Sequence, residues 1–463
     1  MLPLLLLLRM RLRRRTRELY PSMWTCSSTV GPPVVVAFFH PYCNAGGGGE
    51  RVLWCSIRAL QRRHLFVHCV VYTGDCGYTP EEILERAKER FNIDLHKPVH
   101  FVFLKKRRWV EAEMWPYFTL LGQSLGSMLL GLEALLKFAP DVYIDTMGYA
   151  FTFPIFKFLG GCNVGCYVHY PTISTDMLTK VKRREAAFNN ASIISKSIVL
   201  TQAKLLYYKM FALLYGIVGS CSSITMVNSS WTYNHILQIW KKPACMATVY
   251  PPCDTAELAV LNNVSEDQEI KVVISIGQFR PEKNHQLQIK SFSKFLKSQK
   301  SKCRSLYRLL LVGSCRNTDD EKRVDDLKNL CEELQISEYV DFHLNIPFPA
   351  LKQLLSQASI GIHTMWNEHF GIGVVEFMAA GVIALAHDSG GPKLDIVTKW
   401  NEEKTGFLAS DVTGYSASIS EIFQKDREER EEIRQNAKES VQHRFSEKIF
   451  EDEFLKCTEH LLR

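Results

Sequence analysis

The chain has 463 residues, 46% of them apolar and 23% charged, which is enough for two or three domains with cores of their own. That balance excludes a collagen, a low-complexity tail, a disulfide mini-protein and a polytopic transporter. Of the net charge of +7, six units come from Arg9, Arg11, Arg13, Arg14, Arg15 and Arg17; the remaining +1 offers no nucleic-acid-binding surface.

The first 30 residues read as a leader. Leu2 to Leu8 is apolar throughout but spans only seven residues, where a bilayer crossing needs about 20. Positive charge follows this run, whereas a secretory signal carries it in front. Two readings stand: a disordered leader, or an abbreviated membrane anchor with its arginines at anionic lipid. The 14 cysteines scatter from Cys26 to Cys457 without a CxxC pair. Cys162 and Cys166 lack the second pair a zinc site requires, so free thiols in a reducing compartment are expected.

The folded body is expected to begin near Pro33. Val34 to Phe39 has the unbroken β-branched and aromatic pattern of a strand buried on both faces. Gly46 to Gly49 makes a turn and Glu50 to Leu60 a helix. Further strands are expected at 65–72, 99–104, 142–145, 164–169 and 224–227, with a charged helix at 81–90. The plan then repeats, with strands at 272–276, 307–312, 340–342, 360–363 and 382–386. Alternating strands and helices predict parallel sheets covered on both faces, and two such series predict two doubly wound domains. The joint falls at Val249 to Asp254, where two prolines stop any element. The expected division is 31–250 for a first doubly wound domain and 251–440 for a second. Residues 441–463 form a C-terminal helix returning to the first. Two greasy segments, Tyr117 to Phe138 and Leu205 to Val218, are either core helices or helices half-sunk in a membrane interface.

Ligands of doubly wound sheets bind beyond the carboxyl ends of strands. The first such end carries Gly46 to Glu50, a loop that could cradle an anion or serve merely as a turn; no Walker or GxGxxG pattern completes it. In the second half Gly277 to Asn284 places Arg280 and Lys283 three apart, either a diphosphate clamp or partners in surface ion pairs. The densest stretch runs from His363 to Gly381. Glu368 lies in its loop, Gly371, Ile372 and Gly373 open a helix, and Glu376 sits on that helix. Two carboxylates beside an anion site are costly unless they bind hydroxyl-bearing groups such as a sugar and a ribose. His169 ends a strand in the first half and reads equally as a core histidine or a site residue.

Glu368 and Glu376 with seven residues between them, Arg280, Lys283, Gly390-Gly391-Pro392 and Thr405 to Leu408 together resemble the retaining nucleotide-sugar glycosyltransferases of the GT-B fold. Asp395 stands where that family usually has Glu after the glycine pair. Phe38 to Trp54, Thr119 to Ser127, Tyr167 to Leu178 and Met365 to Glu376 are similar to the dolichol-pathway α-1,2-mannosyltransferases. The resemblance implies two Rossmann-like domains facing a central cleft, and retaining transfer from GDP-mannose to a diphosphodolichol-linked oligosaccharide. It places the enzyme at the endoplasmic reticulum membrane with its catalytic domains on the cytosolic side. The leaving diphosphate would take the proton of the incoming hydroxyl. Arg280, Lys283, Gly48, Gly49, Gly371, Ile372 and Gly373 would hold the donor phosphates, Glu376 the ribose, Glu368 the mannose hydroxyls, and His169 would face mannose or acceptor. The base would lie near Asn345 to Leu351. No Asp-x-Asp pair occurs in the chain, so metal-independent chemistry without a cofactor is expected. Implied partners are the membrane surface and other mannosyltransferases of the pathway, with no nucleic acid. Two alternatives remain open at this level: a related lipid-linked transferase with another donor or acceptor, and a catalytically dead GT-B scaffold. Sequons at Asn190, Asn228 and Asn263 are expected to go unused on a cytosolic body.

Overall fold

The structure is a computed structural model that describes residues 2–24, 32–174, 176–177, 198–240, 245–261 and 270–463. The sequons at Asn190 and Asn263 lie outside the described residues. The chain forms two compact units, Met1–Tyr250 with Phe450–Arg463, and Pro251–Ile449.

The first unit is built on seven strands: β1 (Val34–Phe39), β2 (Val67–Thr73), β3 (His100–Phe103), β4 (Val142–Asp145), β5 (Asn163–Val168), β6 (Ile224–Val227) and β7 (Met246–Thr248). All pair in parallel, in the order β3-β2-β1-β4-β5-β6-β7. Five of the six residues of β1 are buried, as expected of a central strand covered on both faces. The second unit has β8 (Lys271–Ile276), β9 (Tyr307–Gly313), β10 (Val340–Leu344), β11 (Ala358–Ile362), β12 (Ile383–His387) and β13 (Gly406–Ala409), in the parallel order β10-β9-β8-β11-β12-β13. Each sheet therefore reverses its winding beside its first strand, between β1 and β4 and between β8 and β11. This topological switch point is where doubly wound sheets open a ligand crevice.

The leader corrects the expectation that folding starts near Pro33. Leu2–Leu19 is a helix docked on the first unit. Leu12 and Thr16 are buried, and Thr16 Oγ1 accepts from the Ala139 amide at 3.0 Å. Arg13 donates to the carbonyls of Gly160 and Gly161, and Arg9 to that of Phe158 at 2.8 Å. Arginine thus caps the carboxyl end of the π-helical turn Ile155–Gly160, where unpaired carbonyls attract cations. A second correction concerns the carboxyl end. The helix Arg427–Phe445 stays with the second unit, its Phe445 ring packed on Phe370, and the chain rejoins the first only at Phe450. Phe450, Phe454 and Leu461 then enter the first unit's core, and Glu451 pairs with Arg58 at 2.5 Å.

Both greasy segments are helices with two unlike faces. Thr119–Lys137 buries Gly126, Leu130 and Ala134 and exposes Leu125, Leu129, Leu132 and Leu136. It is the one described helix long and apolar enough to cross a membrane. Ile198–Gly219 buries Tyr208, Phe211 and Tyr215 and exposes Leu206, Met210, Leu213 and Ile217. The two helices touch: Tyr207 Oη accepts from the Leu121 amide at 3.1 Å, and its ring meets Phe118 edge-on at 5.3 Å.

Candidate active site

In the second unit the chain leaving β8 makes the loop Gly277 to Asn284, and the chain leaving β11 makes His363 to Gly371. Thr364 stitches the two together, since its hydroxyl donates to the Lys283 carbonyl at 2.7 Å and accepts from Gln288 at 2.9 Å. Lys283 Nζ is thereby brought to 2.6 Å from Glu368 Oε2, and His363 Nε2 lies 3.2 Å from the same oxygen. Both side-chain partners of Glu368 among the described residues, Lys283 and His363, bind Oε2. Burial alone would push this carboxyl up. The hydrogen bond from His363 and the charge of Lys283 outweigh it and hold Glu368 well below the usual carboxylate range.

The backbone of Glu368 is fixed from β12. Gly391 donates to the Glu368 carbonyl at 2.8 Å, and Ser389 Oγ accepts from the Asn367 amide while bonding His387 Nδ1, both at 2.8 Å. Gly390 has φ +60° and a Cβ there would strike the Glu368 backbone; a Cβ on Gly391 would strike Phe370. These two glycines serve the fold. Gly371, at φ +109°, is likewise demanded by the backbone as it caps the helix Ile372–Ala379. Gly373 is different: a Cβ there would meet only the Ile276 carbonyl, at 3.9 Å. The fold has no steric need of a glycine at that first turn, and its absence of a side chain leaves the helix-start amides open to an approaching anion. Ile372 and Glu376 stand half-buried on the same helix. Asp395 is buried in the turn Pro392–Ile396, and its carbonyl accepts from Arg444. Asn345 follows β10 in the left-handed region, its side chain bonded to the backbone of Cys315.

Arg280 stands apart from Lys283 and Glu368. Its guanidinium pairs with Glu282 at 2.9 Å, and it lines a cavity of about 250 Å³ with His285, Arg323 and Asp326. The two cations grouped in the sequence are thus separated in this structure, Lys283 turned to the carboxylate and Arg280 to solvent.

The first unit assembles its own polar cluster at the β1/β4 switch point. Phe39 pairs with Asp145 at the strand ends, so His40 and Thr146 follow side by side. His40 Nδ1 lies 2.7 Å from Thr146 Oγ1, and its Nε2 lies 3.1 Å from Glu50 Oε1. His169, past the end of β5, bonds the Thr146 carbonyl through Nε2 at 3.0 Å. A carbonyl only accepts, so Nε2 carries the proton. Burial, then the neighbouring His40, bring His169 down to about 4, so the ring is neutral at pH 7 with Nδ1 as an acceptor. Asp145, fully buried, is raised to about 7 by desolvation and accepts from the amides of Met147 and Gly148. In the glycine loop Gly46 has φ +77°. A Cβ on Gly48 would meet nothing within 4 Å, and one on Gly49 would lie 3.5 Å from His169 Nε2. As at Gly373, steric need does not account for these two glycines.

His40, Glu50, Thr146 and His363 are not among the site residues expected from the sequence. All but Glu50 follow a strand directly, so the strand-end rule applied to every polar residue would have selected them.

Two parallel sheets of this order, together with a match to the group 1 glycosyl transferases, make this a GT-B glycosyltransferase. Solved structures agree on the fold. The crystal structure of Anabaena Alr3699/HepE in complex with UDP and glucose matches with a TM-score of 0.61 at 13% identity, covering 92% of this chain and 100% of that one. Sucrose-phosphate synthase from Thermosynechococcus elongatus matches at 0.64 and 16%, covering 92% and 99%. Residues 33–240 match the family described as ALG11 mannosyltransferase N-terminus, and residues 261–440 match glycosyl transferases group 1. The GDP-Man:Man(3)GlcNAc(2)-PP-Dol alpha-1,2-mannosyltransferase of Mus musculus is 57% identical over 431 residues, 92% of this chain and 87% of that protein. The proteins of the same name from Homo sapiens and Dictyostelium discoideum are 56% and 50% identical, with 93% of this chain covered and 87% and 85% of those proteins. The chain belongs to this mannosyltransferase family, the one its sequence motifs resemble.

Proposed function

We propose that this enzyme transfers mannose from GDP-mannose to a dolichyl-diphosphate-linked oligosaccharide, forming α-1,2 linkages with retention of configuration. The relatives' names supply donor and acceptor. The observation that carries the chemistry is the Lys283–Glu368–His363 group beside the unobstructed helix start at Gly373. A leaving diphosphate needs fixed positive charge and amide donors. Lys283 and the amides at Ile372 and Gly373 supply both, and Arg280, on the same loop, can add a second cation by leaving Glu282. Glu368, held anionic, accepts from mannose hydroxyls, and Glu376 from the ribose. His169 Nδ1 offers an acceptor for a sugar hydroxyl from the first unit, while Gly48 and Gly49 leave room for a ligand beside it. With these charges supplied by the protein, turnover needs no metal and persists in excess EDTA.

The reading extends to the cytosolic face of the endoplasmic reticulum membrane. The exposed leucines of Thr119–Lys137 recur at spacings of four, three and four, a continuous stripe, and the neighbouring helix exposes a second. A close-packed polar body on one side and apolar stripes on the other suit helices lying in a bilayer interface. Lys105, Lys106 and Arg108 are exposed for anionic lipid, whereas Arg107 is engaged with Asp75. The basic cluster Lys180, Lys182, Arg183 and Arg184 lies outside the described residues. Incubation of purified protein with GDP-mannose and a trimannosyl lipid-linked acceptor, with the product sized, tests the assignment. Growth by one or two mannoses supports it; transfer only from another nucleotide sugar, or none, refutes it.

A further inference from the structure

A glutamate at the third position of a helix commonly bonds back to the N-cap amide, and Glu50 does this, accepting from the Gly47 amide at 2.5 Å, with no side chain on Gly47 to return the bond. Such a role is performed at the protein surface and needs no burial. Glu50 is nonetheless 6% exposed, and its second oxygen is spent on His40, which is 0% exposed. Burying a carboxylate and an imidazole is costly, and a cap gains nothing from it. The group is therefore to be judged by what its other end touches.

Two routes lead from Glu50 to one ring. The first runs from Oε1 through His40 Nε2 at 3.1 Å, from His40 Nδ1 to Thr146 Oγ1 at 2.7 Å, and from the Thr146 carbonyl to His169 Nε2 at 3.0 Å. The second runs from Oε2 to the Gly47 amide and so to the turn that holds Gly49, where an added Cβ would lie 3.5 Å from His169 Nε2. We infer that Glu50, acting through His40 and Thr146, is a positioning residue for transfer: it locks the His169 imidazole and the glycine turn against it as one unit. The ionised carboxylate accepts only, so it accepts a hydrogen bond from His40 Nε2–H. Thr146, held by that ring, presents its carbonyl to His169 and selects the tautomer with Nδ1 as acceptor. Asp145 steadies the same turn from behind by accepting the amides of Met147 and Gly148.

The inference rests on the reading that His169 contacts a sugar, and the test separates the two. Glu50→Gln keeps shape and a cap acceptor but removes the charge; Thr146→Val cuts the His40 link and leaves the cap untouched. Both are expected to lower kcat by about 10- to 100-fold with the KM for GDP-mannose within about twofold, as loss of alignment does. His169→Ala should lower kcat at least as far, and adding Glu50→Gln or Thr146→Val to it should cost nothing more, since both act through the missing ring. Wild-type kcat in Thr146→Val, or full additivity with His169→Ala, overturns the positioning role while leaving His169 in the site. Wild-type activity in His169→Ala removes the reading beneath it. If Glu50→Gln fails to fold by circular dichroism, Thr146→Val and its double variant decide the matter alone.

Discussion

Removal of Lys283 separates what its charge does for the fold from what it does for the reaction. The ammonium lies 2.6 Å from Glu368 Oε2, with side-chain exposures of 27% and 15%. At an effective dielectric of about 20 the pair attracts by about 6 kcal/mol. Partial solvent access and the remaining bond from His363 offset more than half of this. Lys283→Ala should therefore destabilise the second unit by about 2–3 kcal/mol, the cost of a carboxylate left buried and half-paired. For a unit of roughly 200 residues that is a fall in Tm of about 5–10 °C. The sign with pH follows. Glu368 is held below its ordinary 4.5, so its contribution is present above that value and lost as pH falls below it; without Lys283 this acid loss shrinks. Lys283→Ala combined with Glu368→Gln leaves no buried charge and should regain most of the Tm. Turnover, measured with radiolabelled GDP-mannose, should stay about two to three orders of magnitude down in both the single and the double variant, because the diphosphate has lost its cation and, in the double variant, the mannose has lost its carboxylate as well. Recovery of turnover with stability in the double variant would refute the assignment, making Lys283 a mere neutraliser of Glu368. An unchanged Tm in the single variant would refute the energetics.

Asp145 is raised to about 7 from 3.8, so the folded state gives up about 4 kcal/mol as pH climbs through that window; Asp145→Asn should flatten this loss in urea titrations between pH 4 and 7, and parallel profiles would contradict it. Gly49→Ala and Gly373→Ala add a methyl with ordinary contacts only, so Tm should hold while turnover drops tenfold or more; unchanged kinetics would mean no ligand approaches there. Polar replacement of Leu206, Met210, Leu213 and Ile217, all exposed, should spare the fold and weaken flotation with anionic liposomes by roughly three orders of magnitude at about 1 kcal/mol each. Retained flotation would move the membrane contact elsewhere.

Most strands were legible because a central parallel strand is buried on both faces and writes itself as a run such as VVVAFF. Met246–Thr248 and Gly406–Ala409 escaped, being three and four residues long at sheet edges. Composition also misled at the amino end. Leu2–Leu19 looks like a detached leader because its arginines are read as solvent-facing charge, yet Arg9 and Arg13 fall on the same face as Leu12 and Thr16 and find backbone carbonyls on the body. A cation one helical turn from a buried residue is a candidate cap before it is a surface charge.

The site was legible as a set of strand ends but not as a set of pairs. Spacing put Arg280 with Lys283, three apart on one loop, whereas the structure joins Lys283 to Glu368, 85 residues away, because both loops leave neighbouring strands at the switch point. The same topology joins His40 to Thr146 across 106 residues in the first unit. Sequence distance carries no information about such pairs; strand order does. Once the order 3-2-1-4 is known, the polar residues just past the first and fourth strands of either sheet must be neighbours, and in both units they are a histidine or lysine facing a hydroxyl or a carboxylate. The glycines are consistent with the proposed site: Gly371, Gly390 and Gly391 are required by the chain itself, whereas Gly48, Gly49 and Gly373 are not, which leaves their backbone open to the ligand approach proposed for them.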